Sequence, residues 1–450
     1  MNFKKLLLFS CMFCGIQPVF SAQNDDIILR PTPGEEVILA VADIQPASEY
    51  ETSELAEVIE TFNRVLWADL RFSGFFTLAG KSYYPPQPTG ALTEENIPFD
   101  AWAALPFSVT FLTSGTLDMI DETLHAELHI FDMKQRKRMF GQNITGDKDQ
   151  VRKMAHQWAD EIVYRLSAGA SRGIASTKIV YASRRGKSSE IYVIDYDGYN
   201  PTAITHTSSQ TPPGNLFPNW SPDNSKLAFV SFQTGKPEIN IYSYIDGTRL
   251  PFPMFNTLAS TPAISPDGER IAFTLRTPRG DTDLFISNLD GSDRRNITNN
   301  PAIDSTPSWS PSGRQIAFVS DRGGSAGQIY ICDADGANIR RLVKEGGDAD
   351  SPVWSPDGQW LAFHWKPRMR TYYDLFIAQV SSGRIRQLTT DSGSNESPSY
   401  APDGRHLTFQ SNRTGTDQIY IMLLGETEEV HRITSQGINT GPDWGGYFRK

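Results

Sequence analysis

Cysteine is scarce in this chain, and its placement excludes a disulfide framework. Only three of the 450 residues are cysteine, and two of these, Cys11 and Cys14, lie within the first 22 residues. Beyond that segment, Cys332 has no partner with which to form an intramolecular disulfide. We therefore expect packing alone to hold the fold together.

Basic residues are outnumbered by acidic ones, and this imbalance narrows the class of partner. The chain has 42 Lys plus Arg against 52 Asp plus Glu, which gives a formal net charge of −10. A surface that binds a polyanion needs an excess of positive charge, so we expect no nucleic acid partner. With 39% hydrophobic and 21% charged residues, the composition is that of a folded protein rather than a disordered one.

Long hydrophobic runs are also missing, and the apolar run near the start is too short to cross a membrane. Residues 1–22 contain Lys4 and Lys5, then an apolar run at residues 6–13, then small residues at Ser21 and Ala22. This layout is typical of a secretory signal peptide, whereas a membrane span needs about 20 consecutive apolar residues. We expect cleavage after Ser21 or Ala22, export of the chain and no membrane insertion.

A repeat of about 45 residues fills the C-terminal two-thirds of the chain and predicts its architecture. The first five copies contain a motif close to Trp-Ser-Pro-Asp-Gly, in which proline fixes a turn corner and glycine accepts a positive φ, and the last is marked by a terminal tryptophan. We interpret the motif as a turn, and the large residue before it as one that packs between repeats. Successive copies are 44 to 46 residues apart and are anchored at Trp220, Ile264, Trp309, Trp354, Tyr400 and Trp444.

Each repeat carries four short strands, which predicts one blade of a β-propeller. After the turn comes an apolar strand, such as residues 271–273, then a hairpin and a strand such as residues 329–331, then a last short strand. Six such repeats fill residues 178–450. Because this region opens on a second strand and ends on a first strand, we expect the final strand to complete the first blade and remove an exposed edge.

The region before the propeller has a mixed pattern that predicts an α/β domain at residues 37–170. Apolar residues recur at helical spacing in residues 53–71, with Ser53 as the predicted N-cap, and again in residues 147–167. The predicted fold class is therefore a two-domain chain, an α/β domain followed by a six-bladed propeller. Strands of the first domain are predicted at residues 37–42, 75–78, 107–118, 123–132 and 137–145, the last three as a meander.

Residues 23–36 form a polar segment with two prolines and no periodicity, which is typical of a flexible tail. Its apolar triplet, Ile27, Ile28 and Leu29, allows a second interpretation. A short apolar stretch in a flexible tail can pair with an exposed strand edge on another protein. Both interpretations stay open, a tail without a binding role or a docking peptide.

Two motifs would indicate an enzyme or a metal site, but neither lies in the structural context that such a site needs. Residues 323–327 match a nucleophile elbow at Ser325, but the repeat places them in a hairpin loop, whereas the elbow needs a strand, a turn and a helix. His125, Glu127 and His129 alternate along one strand, which puts the two histidines about 13 Å apart, too far for one metal ion. We therefore predict no catalytic residues, no metal and no cofactor.

The loops that enter the innermost propeller strands are the strongest candidate for a binding surface. They converge on one mouth of the central channel, and each has a short stretch before a proline. Turn preference alone explains the proline, while six converging loops also make a natural surface for a partner. The stretches are Ser260 and Thr261, Ser305 and Thr306, Asp350 and Ser351, Glu396 and Ser397, Thr440 and Gly441, and the apolar exception Leu216 and Phe217.

Three local features resemble the TolB family of the Tol-Pal cell-envelope system. They are the repeated Trp-Ser-Pro-Asp-Gly turns, residues 195–200 (DYDGYN) in the first blade, and residues 68–74 (ADLRFSG) at the end of the first predicted helix. The turns alone are a weak signal, since prolyl-oligopeptidase-like enzymes carry similar blades. The order of signal peptide, α/β domain and six blades is similar to that family across nearly all of the chain after residue 22.

The resemblance implies a periplasmic binding protein that is not an enzyme and supports outer-membrane integrity and cell division. It implies that a Pal-like (peptidoglycan-associated) outer-membrane lipoprotein binds at the propeller mouth and that an inner-membrane-anchored TolA-like protein binds the tail. The tail carries Pro31 and Pro33, which departs from the pattern expected of the family. We expect a monomer. The alternative is an exported propeller hydrolase or lyase that acts in the channel.

The implied partner contacts can be placed on this sequence residue by residue. In the tail they would be Ile27, Ile28 and Leu29. At the mouth they would be Leu258, Ser260, Thr261, Asp304, Ser305, Asp350, Ser351, Glu396 and Ser397.

Overall fold

The first structured region is a six-stranded sheet. The computed structural model describes residues 37–47, 52–86, 90, 92–206, 213–324, 326–368, 370–390, 392–425 and 429–447. The strands of this sheet are β1 (Ile38–Val41), β2 (Gln45–Pro46), β3 (Thr77–Leu78), β4 (Phe111–Ile120), β5 (Thr123–Asp132) and β6 (Lys137–Asp147). Their order is β3-β1-β4-β5-β6, with β2 beside β4. β1 runs parallel to its neighbours, and β4, β5 and β6 form the predicted antiparallel meander.

Three helices cover the sheet, namely α1 (Ser53–Phe72), α2 (Phe99–Ala103) and α3 (Val151–Leu166), with short 3-10 turns at Lys81–Tyr83 and Lys148–Gln150. α1 and α3 pack on one face because each carries an apolar stripe, in which Phe62 and Trp158 are fully buried. α2, which the sequence did not predict, places Trp102 in a smaller core on the other face. The predicted N-cap was wrong by one residue, since Thr52 Oγ1 accepts the Leu55 amide at 3.2 Å.

From Lys178 onward the chain forms the predicted propeller of six four-stranded antiparallel blades. Blade 1 contains β7 (Lys178–Arg184), β8 (Ser189–Asp195) and β9 (Thr202–Ala203). The other blades are given from the innermost strand outward. Blade 2 contains β10 (Asn215–Trp220), β11 (Lys226–Ser231), β12 (Glu238–Ser243) and β13 (Arg249–Leu250), and blade 3 contains β14 (Ala259–Ile264), β15 (Arg270–Arg276), β16 (Thr282–Asn288) and β17 (Arg295–Asn296). Blade 4 contains β18 (Asp304–Trp309), β19 (Gln315–Ser320), β20 (Gln328–Asp333) and β21 (Arg340–Arg341), blade 5 contains β22 (Gly347–Trp354), β23 (Trp360–Pro367), β24 (Asp374–Gln379) and β25 (Ile385–Gln387), and blade 6 contains β26 (Asn395–Tyr400), β27 (His406–Ser411), β28 (Gln418–Leu423) and β29 (Glu429–Arg432).

The last strand, β30 (Ile438–Trp444), closes the ring as predicted by pairing with β7 as the innermost strand of blade 1. Asp443 on this strand binds both neighbouring blades. Its carboxylate accepts hydrogen bonds from the Trp220 amide at 2.8 Å and the Asn219 side chain at 3.0 Å in blade 2, and from the Ser399 hydroxyl at 2.8 Å in blade 6. Burial raises the pKa of Asp443 to about 6, although these donors oppose the shift.

Large side chains pack between consecutive blades, as the repeat predicts. The Trp309 indole donates to the Ala263 carbonyl at 3.0 Å, and the Trp354 indole donates to the Ser308 carbonyl at 3.2 Å, so each reaches the preceding blade. A phenylalanine near the middle of the second strand fills the core in blades 2 to 6, and Tyr181 takes this place in blade 1. These phenylalanines, at most 2% exposed, are Phe229, Phe273, Phe318, Phe363 and Phe409.

Buried hydrogen bonds also pass from one blade to the next. In blade 5 the Thr389 hydroxyl accepts the Leu375 amide at 2.9 Å and donates to the Asp374 carboxylate at 2.9 Å. The Asn395 side chain of blade 6 contacts the same carboxylate at 3.4 Å. Each donor in this relay has an acceptor, so the start of the next innermost strand is held in place. Equivalent relays join Thr205, Glu190 and Asn215, and Thr434, Gln418 and Asn439.

The two domains meet at the end of α1. His406 Nε2 lies 2.8 Å from the Phe72 carbonyl oxygen, and Arg405 donates to the Gly74 carbonyl oxygen. Residues 68–74 therefore contact blade 6 directly. Within the described residues, no helix is both long and apolar enough to span a bilayer.

Candidate functional site at the propeller mouth

Six β-bulges ring the central channel, one in each innermost strand. In every blade the pairing with the second strand is interrupted at the same place, ahead of a proline. Proline has no N–H, so its place in the interruption leaves no donor unpaired. The residue before the proline has a positive φ, which costs an L-residue about 1–2 kcal/mol. These six residues are Phe217 (φ 53°), Thr261 (46°), Thr306 (48°), Ser351 (52°), Ser397 (51°) and Gly441 (56°).

The bulges surround a cavity of about 390 Å³ along the channel. The six positive-φ residues line it, together with the prolines that follow them. Five of the six are not glycine, so the ring keeps a strained backbone in five blades around one cavity. Strain of this kind clusters at active sites and ligand clamps. We therefore take this ring as the candidate functional site.

The residue just before each bulge changes from blade to blade and makes the mouth chemically two-sided. Blade 2 has Leu216 at this place, whereas blades 5 and 6 have Asp350 and Glu396. Blades 2 and 5 are three apart in a ring of six, so the apolar position lies across the channel from Asp350. The remaining blades have hydroxyl side chains there, namely Ser260, Ser305 and Thr440.

Side chains of the second strands hold the acidic half of the mouth in place. His364 is paired with Asp350, and its Nδ1 accepts the Ser397 amide at 3.2 Å. Burial lowers the pKa of His364 against the opposing charges of Asp350 and Asp348, which favours the neutral ring that this hydrogen bond requires. In the next blade Gln410 Oε1 accepts the Gly441 amide at 2.8 Å. Both bonds satisfy an amide that the bulge removes from the strand ladder.

The two acidic residues at the mouth accept hydrogen bonds from neighbouring side chains. The Thr306 hydroxyl donates to Asp350 Oδ1 at 3.1 Å, and Gln410 contacts Glu396 Oε2 at 3.4 Å. Burial raises the pKa of Glu396, and the charges of Asp417 and Asp350 raise it further. The charge of Lys366 opposes this shift. This half of the mouth therefore favours a positively charged partner group.

Most of the predicted mouth residues line the mouth with partly accessible side chains. Leu258 is 38% exposed, and Ser260, Thr261 and Ser305 are half-buried. The hydroxyls of Thr261 and Thr274 are 2.7 Å apart. Ser351 and Ser397 occupy bulge positions, and with Asp350 and Glu396 they are half-buried. The structure brings these residues around one channel; their role in partner binding stays a prediction.

Asp304 differs from the other predicted mouth residues because it is fully buried. Its carboxylate accepts two hydrogen bonds from Arg322, at 2.9 and 3.1 Å, and one from Asn300 at 2.5 Å. These bonds fix the loop that leads into blade 4. The Asp304 side chain therefore supports the mouth from within and offers no surface to a partner.

Several predictions from the sequence lie outside the described residues. They concern the signal peptide at residues 1–22, the tail at residues 23–36 with Ile27, Ile28 and Leu29, and Ser325 in the discarded nucleophile motif. Each of these stays a prediction.

Several residues of the mouth, among them Phe217, His364 and Gln410, were not among the predicted contacts. Phe217 had a visible signal, since it interrupts a series of small and polar residues before the prolines. His364 and Gln410 had none, because they lie on second strands. Their alignment with Asp350 and Glu396 depends on register across the blade.

One histidine of the pattern on β5 contacts a carboxylate of the same strand. His129 Nε2 lies 3.2 Å from Glu127 Oε1, and burial lowers the pKa of His129. Across the part of the chain that the structure describes, no group of three or more His, Cys, Asp or Glu is arranged to hold a metal ion.

Comparison with known proteins gives matches at three levels. A family model described as the TolB beta propeller domain matches residues 167–371 and 346–446. The chain is 31% identical over 308 residues to the Tol-Pal system protein TolB of Anaeromyxobacter dehalogenans, covering 68% of this chain and 67% of that protein. It is 31% identical over 300 residues to the protein of that name from Bordetella parapertussis, covering 66% and 63%. The matched part thus spans about two thirds of each relative.

The fold is similar to a solved structure over nearly the whole length. The crystal structure of TolB from Acinetobacter baumannii superposes with a TM-score of 0.76 at 23% identity, and the match covers 92% of this chain and 97% of that one. At this identity the likeness is evidence for the fold alone.

Proposed function

This chain belongs to the TolB family, and from that premise we propose that it is a protein-binding scaffold of the Tol-Pal system rather than an enzyme. A Pal-like, peptidoglycan-associated outer-membrane lipoprotein binds at the propeller mouth. A TolA-like inner-membrane protein binds residues 23–36. The protein acts in the periplasm after its signal peptide is removed, and it supports outer-membrane integrity and cell division.

The observation that carries the proposal is the ring of bulges at the mouth. Five strained turns and one glycine turn surround one cavity, and half-buried side chains of several chemical types come just before these turns. A site that offers many weak contacts spread over its surface is typical of one that binds another protein. An enzyme that acted in the channel would instead need a clustered acid, base or nucleophile there.

The test is direct binding of the mature protein to the soluble domain of the peptidoglycan-associated lipoprotein, measured by isothermal titration calorimetry. The informative variant is Thr261→Arg with Ser305→Arg, since two long charged side chains at adjacent blades block the mouth. The matched control is Thr248→Arg with Gln359→Arg, which adds the same charge at exposed positions away from the bulges. We expect wild type and control to bind equally and the mouth variant to lose binding.

The tail is tested separately with a chain that lacks residues 23–36. We expect this chain to bind the lipoprotein and to lose capture of a TolA-like protein. If wild type binds neither protein, the scaffold proposal fails. Hydrolysis or elimination of an oligosaccharide or peptide by the purified wild type would support the alternative of a propeller enzyme.

A further inference from the structure

Phe217 is unlike the residues at the other five bulges. It has φ +53° and is 47% exposed, whereas the equivalent positions hold threonine, serine or glycine. A bulky residue with positive φ is a genuine outlier, and a half-exposed aromatic ring inside a cavity keeps apolar surface in water. Two unfavourable features at one position of a candidate site point to a role in recognition.

Other apolar side chains extend this surface around the same half of the mouth. Leu258 and Ile303 stand immediately before the innermost strands of blades 3 and 4, and they are 38% and 55% exposed. With Phe217 of blade 2 they place one exposed apolar side chain in each of three adjacent blades, a set that we call the apolar arc. Exposed apolar side chains grouped in this way mark interaction sites rather than ordinary surface.

The other half of the mouth carries the opposite chemistry. Asp350 and Glu396 lie in blades 5 and 6, and Asp350 is across the channel from Phe217. Asp350 and Asp417 lie close enough to Glu396 to raise its pKa, and Lys366 opposes that shift, so carboxyl groups outnumber the ammonium group in this half. Charge of one sign on a single side of a mouth favours a partner group of the opposite sign and disfavours an acidic one.

We propose that the mouth binds a single partner segment in which an apolar side chain lies beside a lysine or arginine. The apolar side chain packs on Phe217 and its arc, and the basic group enters between Asp350 and Glu396. This inference rests on the proposed function and adds to it the chemistry that selects the partner. Phe217 is then the aromatic anchor of the interface, the kind of residue that contributes most to binding energy.

The test compares two variants for binding to the same soluble lipoprotein domain at low and high salt. Phe217→Ser removes the ring and installs the residue that blades 5 and 6 already have at this bulge, so the fold is kept. We expect its Kd to rise about 30-fold at every salt concentration. Asp350→Asn with Glu396→Gln keeps shape and removes charge. We expect its Kd to rise about tenfold at low salt and to lose most of its salt dependence.

The matched controls change the same chemistry away from the mouth. Ile245→Ser removes an apolar side chain that is 77% exposed in an outer turn, and Glu57→Gln with Glu95→Gln removes two exposed charges from the first domain. If wild type does not bind the lipoprotein, the proposed function is overturned. If wild type binds and either mouth variant matches its control, the function stands and the two-sided recognition is overturned.

Discussion

The Tyr196 hydroxyl donates a 2.5 Å hydrogen bond to Asp69 Oδ1 across the junction between the two domains, from a residue 127 positions away. Both side chains are buried, and His156 Nδ1 lies 2.7 Å from the second carboxylate oxygen. Burial lowers the pKa of His156, but the charge and hydrogen bond of Asp69 outweigh this and raise it. The junction is therefore a polar network enclosed in apolar packing, where each hydrogen bond matters because water cannot replace it.

Replacing Tyr196 with Phe leaves Asp69 with one donor fewer in a buried site. We expect the free energy of unfolding to fall by about 1–3 kcal/mol. Urea unfolding followed by fluorescence measures it, with Tyr372→Phe, an exposed tyrosine, as the control. Equal stability of the two variants would show that the hydrogen bond contributes nothing to the junction.

Asp443 makes ring closure sensitive to pH. Its folded-state pKa of about 6 lies above that of an unfolded aspartate, so the folded protein retains a proton between pH 4 and 6 that the unfolded chain releases. The contribution of this group to stability therefore falls as pH rises through that window, by up to about 3 kcal/mol. We expect the stability of wild type relative to Asp443→Asn to decrease from pH 4 to pH 7. If the free energies of unfolding of the two proteins changed in parallel from pH 4 to pH 7, the raised pKa of Asp443 would be contradicted.

Gly441 offers a direct measurement of the strain at one bulge. An added Cβ would meet no atom within 4 Å, so Gly441→Ala changes only the backbone cost at φ +56°. We expect a loss of about 1 kcal/mol in the free energy of unfolding. Gly186→Ala is the control, since its Cβ also meets nothing and its φ is not positive. That change should be neutral or stabilising by a few tenths of a kcal/mol.

A substitution at Asp304 distinguishes a side chain that supports the mouth from within from one that contacts the partner. Asp304→Ala leaves Arg322 and Asn300 without their acceptor in a buried site, so we expect a loss of about 3–5 kcal/mol in the free energy of unfolding. Asp100→Ala, at an exposed ion pair with Arg136, should cost less than about 0.5 kcal/mol. The folded fraction of Asp304→Ala should bind the lipoprotein as wild type does. A stable Asp304→Ala protein with weakened binding would instead place this carboxylate at the interface.

Periodicity made the propeller predictable from the sequence. The turn motif recurs five times at a nearly constant interval, and Trp444 marks a sixth copy at the same spacing, so blade number, strand order and the closing strand followed by counting. The interior of the first domain was harder. α2 is one short turn around Trp102, with no periodic signal, and α1 begins one residue from the predicted cap because Thr52 and Ser53 are both good N-caps.

The candidate site was predictable in its place but not in its chemistry. The prolines marked the loops, yet the burial of Asp304 depends on Arg322, a residue of the turn that follows the neighbouring strand β19. The pairing of Asp69 with Tyr196 joins segments that are distant in the chain, and each segment was noticed without any sign that they meet. Contacts of this kind come from tertiary packing, which a single sequence does not encode in any local pattern.

Ring closure also bears on how the protein assembles. The Trp444 indole donates to the Thr177 hydroxyl at 2.9 Å, from 267 residues further along the chain. A contact between residues so far apart in the sequence forms only after the intervening blades have folded, so folding should be slow and cooperative. An open array of repeats loses its terminal units first. In a closed ring every blade has two neighbours, and the loss of one blade exposes the edges of both.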